Sequence, residues 1–338
     1  MTPDKLRPLL VITMGDPVGV GPEITVLALR EAAIYRHCRP LVLGDLTALG
    51  RAREALTPEL GLHLVEDPRD GRYETGTIDL LALSRLEPEE CQYGLPTPAA
   101  GAAMVSYILT GIRMCLENRA AGLVTGPISK TAMHLAGYPY PGHTELLAEK
   151  TGAAEVAMML AGGSFRVVLA TIHVALAKVP ERLSQEGLFR LFRLTYKTLQ
   201  QDFGLAHPRL GVAALNPHAS EGGLFGTEER EIIIPAVLQA HDAGMPVTGP
   251  FPADTLFWRH AQGEFDAIVA MYHDQGLIPL KLLHFMDAVN VTLGLPIIRT
   301  SVDHGTAYNL AGTGKADPGS LQAAIIMAAD LAGRRAAR

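Results

Sequence analysis

Short apolar runs alternate with longer stretches of helical spacing through most of this chain, and that order predicts parallel strands joined by crossover helices. The first cycle is the run Leu9-Leu10-Val11-Ile12-Thr13-Met14, a helix over 23–35, the run Leu41-Val42-Leu43 and a helix after Asp45. Positions 98–118 read as one long helix with small residues on one side, leading into the strand Gly122-Leu123-Val124-Thr125. Beyond Gly126-Pro127, helices are expected over 128–136 and 145–151, parted by a loop at 137–142 whose prolines and glycines forbid regular structure. A β-rich run covers 165–173, an amphipathic helix 183–203 and a strand 210–215. Thr227-Glu228-Glu229 then opens a helix, with Thr227 as its N-cap and the acids suited to the helix dipole. Strands over 267–272 and 288–293 and a helix over 321–334 complete the pattern.

The expected class is therefore α/β. The glycine- and proline-marked turns near Gly126 and the segment around Leu283 give the expected boundaries: one α/β domain from 1–128 with 283–338, containing both termini, and a second from 129–282. At 338 residues the chain has room for two such domains.

Composition narrows the function by exclusion. A net charge of -6 and the absence of a Lys/Arg block argue against nucleic acid or an anionic membrane as partner, so any bound phosphate must meet local cations. Cys38, Cys91 and Cys115 are odd in number and lack CxxC spacing, which indicates neither a disulfide framework nor a thiolate zinc site and fits a reducing cytosol. With no leader-like start and no uninterrupted apolar run of ~18 residues, a cytoplasmic protein outside the membrane is expected.

The candidate chemistry gathers at strand ends. His173, His218 and His273 each follow an apolar run at the point where a strand should give way to a loop, and in a parallel sheet those ends converge on the ligand-binding edge. Three imidazoles can hold one divalent ion and leave a position open for substrate. A strand-end histidine serves equally as a hydrogen-bonded structural residue or a general acid or base, and both readings stay open on spacing alone. Lys281, Asn290 and Arg299 add two cations and an amide suited to an anionic substrate. Lys281 lies among leucines and must snorkel or be paired, while Arg299 interrupts an otherwise buried strand.

The stretch Gly15-Asp16-Pro17-Val18-Gly19-Val20-Gly21-Pro22 follows a strand and opens a helix, but its prolines spoil the spacing of a dinucleotide turn, so no Rossmann fingerprint is present. In the segment 216–226 the adjacent Gly222 and Gly223 allow close backbone approach ahead of a helix; a flexible connection is the alternative.

Met14-Gly15-Asp16-Pro17, Gly142-His143-Thr144-Glu145, Asn216-Pro217-His218, Pro252-Ala253-Asp254-Thr255, Tyr272-His273-Asp274-Gln275-Gly276 and Arg299-Thr300-Ser301-Val302-Asp303-His304-Gly305-Thr306-Ala307 occur in this order. Through them the chain resembles the PdxA family of pyridoxal phosphate biosynthesis over nearly its whole length. The resemblance implies a homodimer with an isopropylmalate-dehydrogenase-like fold, two α/β domains per subunit and an active site in an interdomain cleft at the subunit interface. It places metal ligands, shared between subunits, on His173, His218 and His273 in the 129–282 domain, and substrate-binding positions on His143, Thr144, Lys281, Asn290 and Arg299.

The segment running from His304 to Gly312 resembles the adenosine-holding loop of related β-decarboxylating dehydrogenases. That implies NAD, with NADP as alternative, at His304, Gly305, Thr306 and Asn309, with Gly222 and Gly223 as further cofactor candidates. Softness puts zinc first among the metals, with magnesium or cobalt as alternatives. Asp254 and Lys281 are candidates for proton handling, and a turn role is the alternative for Asp254.

The implied reaction is NAD- and metal-dependent oxidation of 4-hydroxythreonine 4-phosphate to a β-keto acid, which decarboxylates to 3-amino-2-oxopropyl phosphate. Positions 282–288 look more like paralogues that oxidise D-threonate or D-erythronate 4-phosphate, whereas 309–315 keep the form of the vitamin-pathway enzymes. A phosphate acyltransferase is the alternative of another class, since such enzymes resemble the same broad fold.

Overall fold

Leu9–Thr13 (β1) is buried at every position, as a strand can be only when both faces of its sheet are covered. This is the computed structural model of the chain, described over residues 7–337. After β1, the helix expected over 23–35 is two, α1 (Gly21–Leu29) and α2 (Ala32–His37), because Glu31 takes an extended conformation and interrupts the ladder. β2 (Arg39–Asp45) ends on a carboxylate that accepts the amide of Ala48 at 2.8 Å and so starts α3 (Leu46–Leu56). β3 (Gly61–Leu64) and β4 (Thr77–Ser84) follow. α4 (Pro98–Leu116) is capped by Thr97, with proline at its first position. By length and composition α4 could cross a membrane; more than half of it is buried, and it packs on β1, β2 and β5. β5 (Gly122–Thr125), α5 (Lys130–Leu135) and α6 (His143–Thr151) complete this stretch.

The chain then enters a separate unit, Glu155–Gly294. β6 (Ala157–Gly162) and β7 (Phe165–Leu169) form an antiparallel hairpin. The short α7 (Val179–Arg182) precedes α8 (Gln185–Gln201), which buries Leu188, Phe192, Thr195 and Leu199, one stripe at helical spacing. β8 (Leu210–Ala213), α9 (Ile234–Asp242), β9 (Val247–Phe251), α10 (Ala253–Ala261), β10 (Ala267–Ala270), α11 (His273–Leu283) and β11 (Val289–Leu293) follow. The strand order within this unit is β11-β6-β7-β10-β8-β9, around a core that includes Phe165, Leu169, Leu256, Phe265, Ile268 and Leu280. The pairings of β6 with β7 and with β11 are antiparallel, unlike the all-parallel expectation; the other three are parallel.

From Leu295 onward the chain rejoins the first unit as β12 (Arg299–Val302) and α12 (Gly319–Ala336). That unit's strands run β3-β4-β2-β1-β5-β12, every pairing parallel. Both changes of unit fall later than the turns at 128 and 283. α5 and α6 pack against α4 and so stay with the first unit, while β11 pairs with β6 and stays with the second.

Candidate functional site

In the second unit the carboxyl ends of β7, β10 and β8 are laced together by side chains. Thr171 donates its hydroxyl to the carbonyl of Met271 at 2.8 Å, tying the end of β7 to that of β10. Gln275 accepts the amide of Met271 at 2.7 Å and donates to the carbonyl of Ala214 at 2.6 Å, tying β10 to β8. These bonds fix the backbone from which His173, His273 and His218 project.

The three histidines are not equally placed. The rings of His173 and His273 lie 5.9 Å apart between centroids, inclined by 39°. His273 gives its Nδ1 to the carboxylate of Asp274 at 2.7 Å, which leaves Nε2 as the outward donor, the arrangement that orients a metal-bound imidazole. His218 stands in the loop beyond β8 with its side chain two-thirds exposed. Among the described residues no three His, Cys, Asp or Glu side chains come together in a group able to hold a metal. By donor type these imidazoles suit a divalent ion, and the rings of His173 and His273 neighbour each other, but among the described residues the three form no such group within a single chain.

The loop carrying His218 has an uncommon backbone. His218, Ala219, Ser220, Glu221 and Gly222 have φ of 52°, 52°, 66°, 46° and 68°, a full left-handed turn in which only the last residue is glycine. An L-residue in that region costs roughly 1–2 kcal/mol, and runs of them are rare. The turn is anchored at its base by Glu229, a wholly buried carboxylate that accepts the amides of Leu215 at 2.8 Å and Asn216 at 2.7 Å. The Asn216 side chain donates to Glu229 at 2.9 Å and to Glu228 at 2.7 Å. The helix starts directly after Thr227, whose carbonyl accepts the amide of Glu231 at 2.8 Å as that of an N-cap residue does, and the turn Glu229–Ile233 that follows is π-helical.

Lys281 and Asn290 belong to this unit as well. Lys281 lies in the last turn of α11 with its ammonium 5.9 Å from the centre of the Phe285 ring. Asn290 sits in β11 opposite Leu160 of β6. Asp254 is exposed in the first turn of α10, where an acid complements the helix dipole. Gly222 and Gly223 end the left-handed turn.

The remaining candidates lie in the first unit. Arg299 opens β12, is buried, and donates to the hydroxyl of Thr125 at the end of β5 at 2.7 and 3.2 Å. Burial pulls its pKa down to about 9, which leaves it charged at neutral pH. His143 and Thr144 are the first two residues of α6, whose free amides favour an anion. His143 is half-buried with its Nε2 shielded from solvent and without a hydrogen-bond partner among the described residues, and desolvation together with the Arg299 charge holds its pKa well below 6.5. The ring is therefore neutral at physiological pH.

The segment 304–314 is fastened to the β1–α1 region at three points. Thr306 accepts the amide of Val20 at 3.0 Å, and Tyr308 donates to the buried carboxylate of Asp16 at 2.6 Å. Glu23, also buried, accepts the amides of Gly312 and Gly314 at 2.9 Å each. His304, Gly305 and Asn309 stand exposed on the loop so held. Thr171, Gln275, Glu229 and Glu23 had no place among the sequence candidates. The only signal was a polar residue close to a candidate: Thr171 two before His173, Gln275 two after His273.

Residues 36–328 match the family model described as pyridoxal phosphate biosynthetic protein PdxA. The chain is 54% identical over 323 residues, 96% of its length and 95% of the relative's, to a 4-hydroxythreonine-4-phosphate dehydrogenase of Desulforapulum autotrophicum. It is 44% identical over 97% of its length, and 98% of the relative's, to a D-threonate 4-phosphate dehydrogenase of Cupriavidus necator. Among solved structures it is similar to a 4-hydroxythreonine-4-phosphate dehydrogenase of Klebsiella pneumoniae, with TM-score 0.89, 39% identity and coverage of 96% and 99% of the two chains.

Proposed function

The chain belongs to the PdxA family, whose members named above are dehydrogenases, and from that premise we propose that it oxidises 4-hydroxythreonine 4-phosphate with NAD, in pyridoxal phosphate biosynthesis. The observation that carries this choice of substrate is the 54% identity, across nearly both chains, with a relative of that name, against 44% with the D-threonate enzyme. Oxidation of the substrate's secondary alcohol gives a β-keto acid, and its loss of carbon dioxide gives 3-amino-2-oxopropyl phosphate. The dehydrogenase names of the relatives favour this over an acyl transfer.

Arg299, charged and locked to Thr125, is suited to one anionic end of the substrate, and Lys281 to the other. His143 meets the substrate neutral, so its unpartnered Nε2 accepts a hydrogen bond and adds no third cation. Thr144 and the free amides of α6 supply donors beside it. Arg299, His143 and Thr144, all of the first unit, would help to hold the carbinol carbon in one orientation toward the nicotinamide. Asp254 and Lys281 are the residues proposed to handle the proton. The loop fastened by Glu23 and Asp16 would hold the nucleotide at His304, Gly305, Thr306 and Asn309, with Gly222 and Gly223 as further contacts; NADP is the alternative.

His173, His218 and His273 are the ligands proposed for a divalent ion, zinc first by donor type and cobalt or magnesium next. Such an ion would supply a Lewis acid for the alcohol and for the charge that develops as carbon dioxide leaves. Because the three form no such group within one chain among the described residues, a ligand would come from a second copy. An exposed apolar face supports that reading: Ile278 is 66% exposed, Leu282 83% and Phe285 73%, with Leu283 and Met286 beside them. Lys281 lies on the same helix, which would set the site at the subunit interface.

The test is formation of NADH, followed at 340 nm, with 4-hydroxythreonine 4-phosphate and with D-threonate 4-phosphate, each with and without chelator. A kcat/KM at least about tenfold higher for the first substrate, lost on chelation, is expected. A reversed preference would move the chain to the D-threonate reaction. Replacing His218→Ala should remove metal-dependent turnover without unfolding the protein; full activity in that variant would take His218 out of the site.

A further inference from the structure

The left-handed turn 218–222 and the carboxylate beneath it call for an explanation beyond chain connection. A plain connection would carry glycine at the strained positions, yet glycine occupies only the end of the turn, and His218, Ala219, Ser220 and Glu221 all hold positive φ. What keeps the turn from relaxing lies at its base. Glu229 spends both carboxylate oxygens on Leu215 and Asn216, the last two residues before Pro217 and the turn. Asn216 spends both amide hydrogens on Glu228 and Glu229. On the far side, the amide of Phe225 closes back on the carbonyl of Ser220 at 3.2 Å. These bonds hold both ends of the turn from which His218 projects.

We propose that Glu229 is a positioning residue for His218: by clamping the entry of the left-handed turn it fixes where that imidazole is presented. The inference rests on the reading of His218 as a metal ligand. Glu229 touches neither substrate nor metal; it acts only through the turn. A partner hydrogen-bonded directly to a ligating histidine carries roughly 10–100-fold of metal affinity, and a clamp that acts through the backbone is expected at the lower end of that range.

The test is Zn2+ affinity of the full chain, measured by competition with a chromophoric chelator, for the wild type, Glu229→Gln, Asn216→Ser, His218→Ala and the double variant Glu229→Gln/His218→Ala. Glutamine would set an NH2 against that of Asn216, and serine would remove the donor to both glutamates. The expected result is about a tenfold or greater loss of affinity for Glu229→Gln and Asn216→Ser, and no further loss when Glu229→Gln is added to His218→Ala. That non-additivity separates positioning from general destabilisation, which would act equally in both backgrounds. If Glu229→Gln does not fold, Asn216→Ser decides alone. Wild-type affinity in the two clamp variants, with affinity lost in His218→Ala, overturns the inference and leaves the ligand reading standing. Wild-type affinity in His218→Ala itself overturns the ligand reading, and the inference with it.

Discussion

Each unit holds a candidate loop by one buried glutamate on backbone amides, and the two cases differ in what the clamped backbone costs. Glu23 takes the amides of Gly312 and Gly314, whose φ of 80° and 69° are open to glycine without penalty. Glu229 takes the base of a turn whose left-handed residues are mostly not glycine. A glycine loop needs a clamp because it is otherwise free; a strained turn needs one because it would otherwise relax. The units also differ over histidines with ring nitrogens shielded from solvent. In the second unit His260 is fully satisfied, accepting the amide of Arg166 at 3.0 Å and donating to the carbonyl of Phe265 at 3.1 Å, whereas in the first unit His143 keeps Nε2 unpartnered. A satisfied buried histidine has its full set of protein partners, whereas a shielded open nitrogen calls for an explanation, which the proposed substrate would supply.

The largest effect expected from this contrast is on acid stability. Burial lowers the pKa of His260 from 6.5 to about 4, so below pH 6.5 the unfolded chain takes up the proton more readily than the folded one. The stability His260 contributes is complete above pH 6.5 and is lost as pH falls through 4, by up to about 3 kcal/mol. Urea midpoints measured from pH 7 to pH 4 should show a smaller decline in His260→Gln, which keeps one donor and one acceptor. Parallel curves for the two proteins would remove His260 from the framework role.

Next in size is Gly312→Ala. A methyl there would stand 2.4 Å from the Tyr93 ring, which Arg51 covers at 3.8 Å on one face, and it would force alanine to φ 80°. A loss of roughly 1–3 kcal/mol is expected in thermal unfolding. A variant as stable as the parent would show that this loop tolerates other conformations and that its glycine is not required.

The parts of the molecule set by local pattern were legible in the sequence, and the parts set by distant backbone were not. Alternating runs located β1, β2, β5 and β8, and Asp45 and Thr97 cap their helices through their own neighbours, so no tertiary information was needed. The hairpin partner β6 went unread, and with it the antiparallel pairings of the second unit. Glu229 looked like an ordinary acid in a first helical turn; its burial against the amides of Leu215 and Asn216 belongs to the fold. Thr171 and Gln275 lace strands through carbonyls of residues far away in sequence, Met271 and Ala214, and carbonyls carry no residue signature. The candidate histidines were legible as strand-end residues, while the approach of the His173 ring to that of His273 belongs to the fold.

A smaller effect is expected at the other clamp. Glu23→Gln leaves one of the two glycine amides facing an NH2, which loosens the loop proposed to hold NAD without touching the groups proposed to hold substrate. Steady-state kinetics should show KM for NAD rising about tenfold with kcat within about twofold. A fall in kcat at constant KM would place the loop's effect on the chemical step and break the parallel between the two glutamates.

The smallest effect carries the comparison furthest, because it has the opposite sign to Gly312→Ala. Ala219 is held at φ 52° in the strained turn, and Ala219→Gly removes the left-handed penalty while adding freedom to the unfolded chain. The two terms nearly offset, leaving a gain of about 0.5 kcal/mol, read as a small rise in the thermal midpoint. If the turn is strained for the sake of His218, this more stable variant should also bind Zn2+ several-fold more weakly, since a glycine at that position lets the turn sample other conformations. A rise in stability with unchanged affinity would mean that the clamp alone fixes His218 and the strain has no part in it. A loss of stability would mean that the Ala219 methyl packs better in the turn than its backbone angle suggests, and the difference between the two loops would then lie in their side chains.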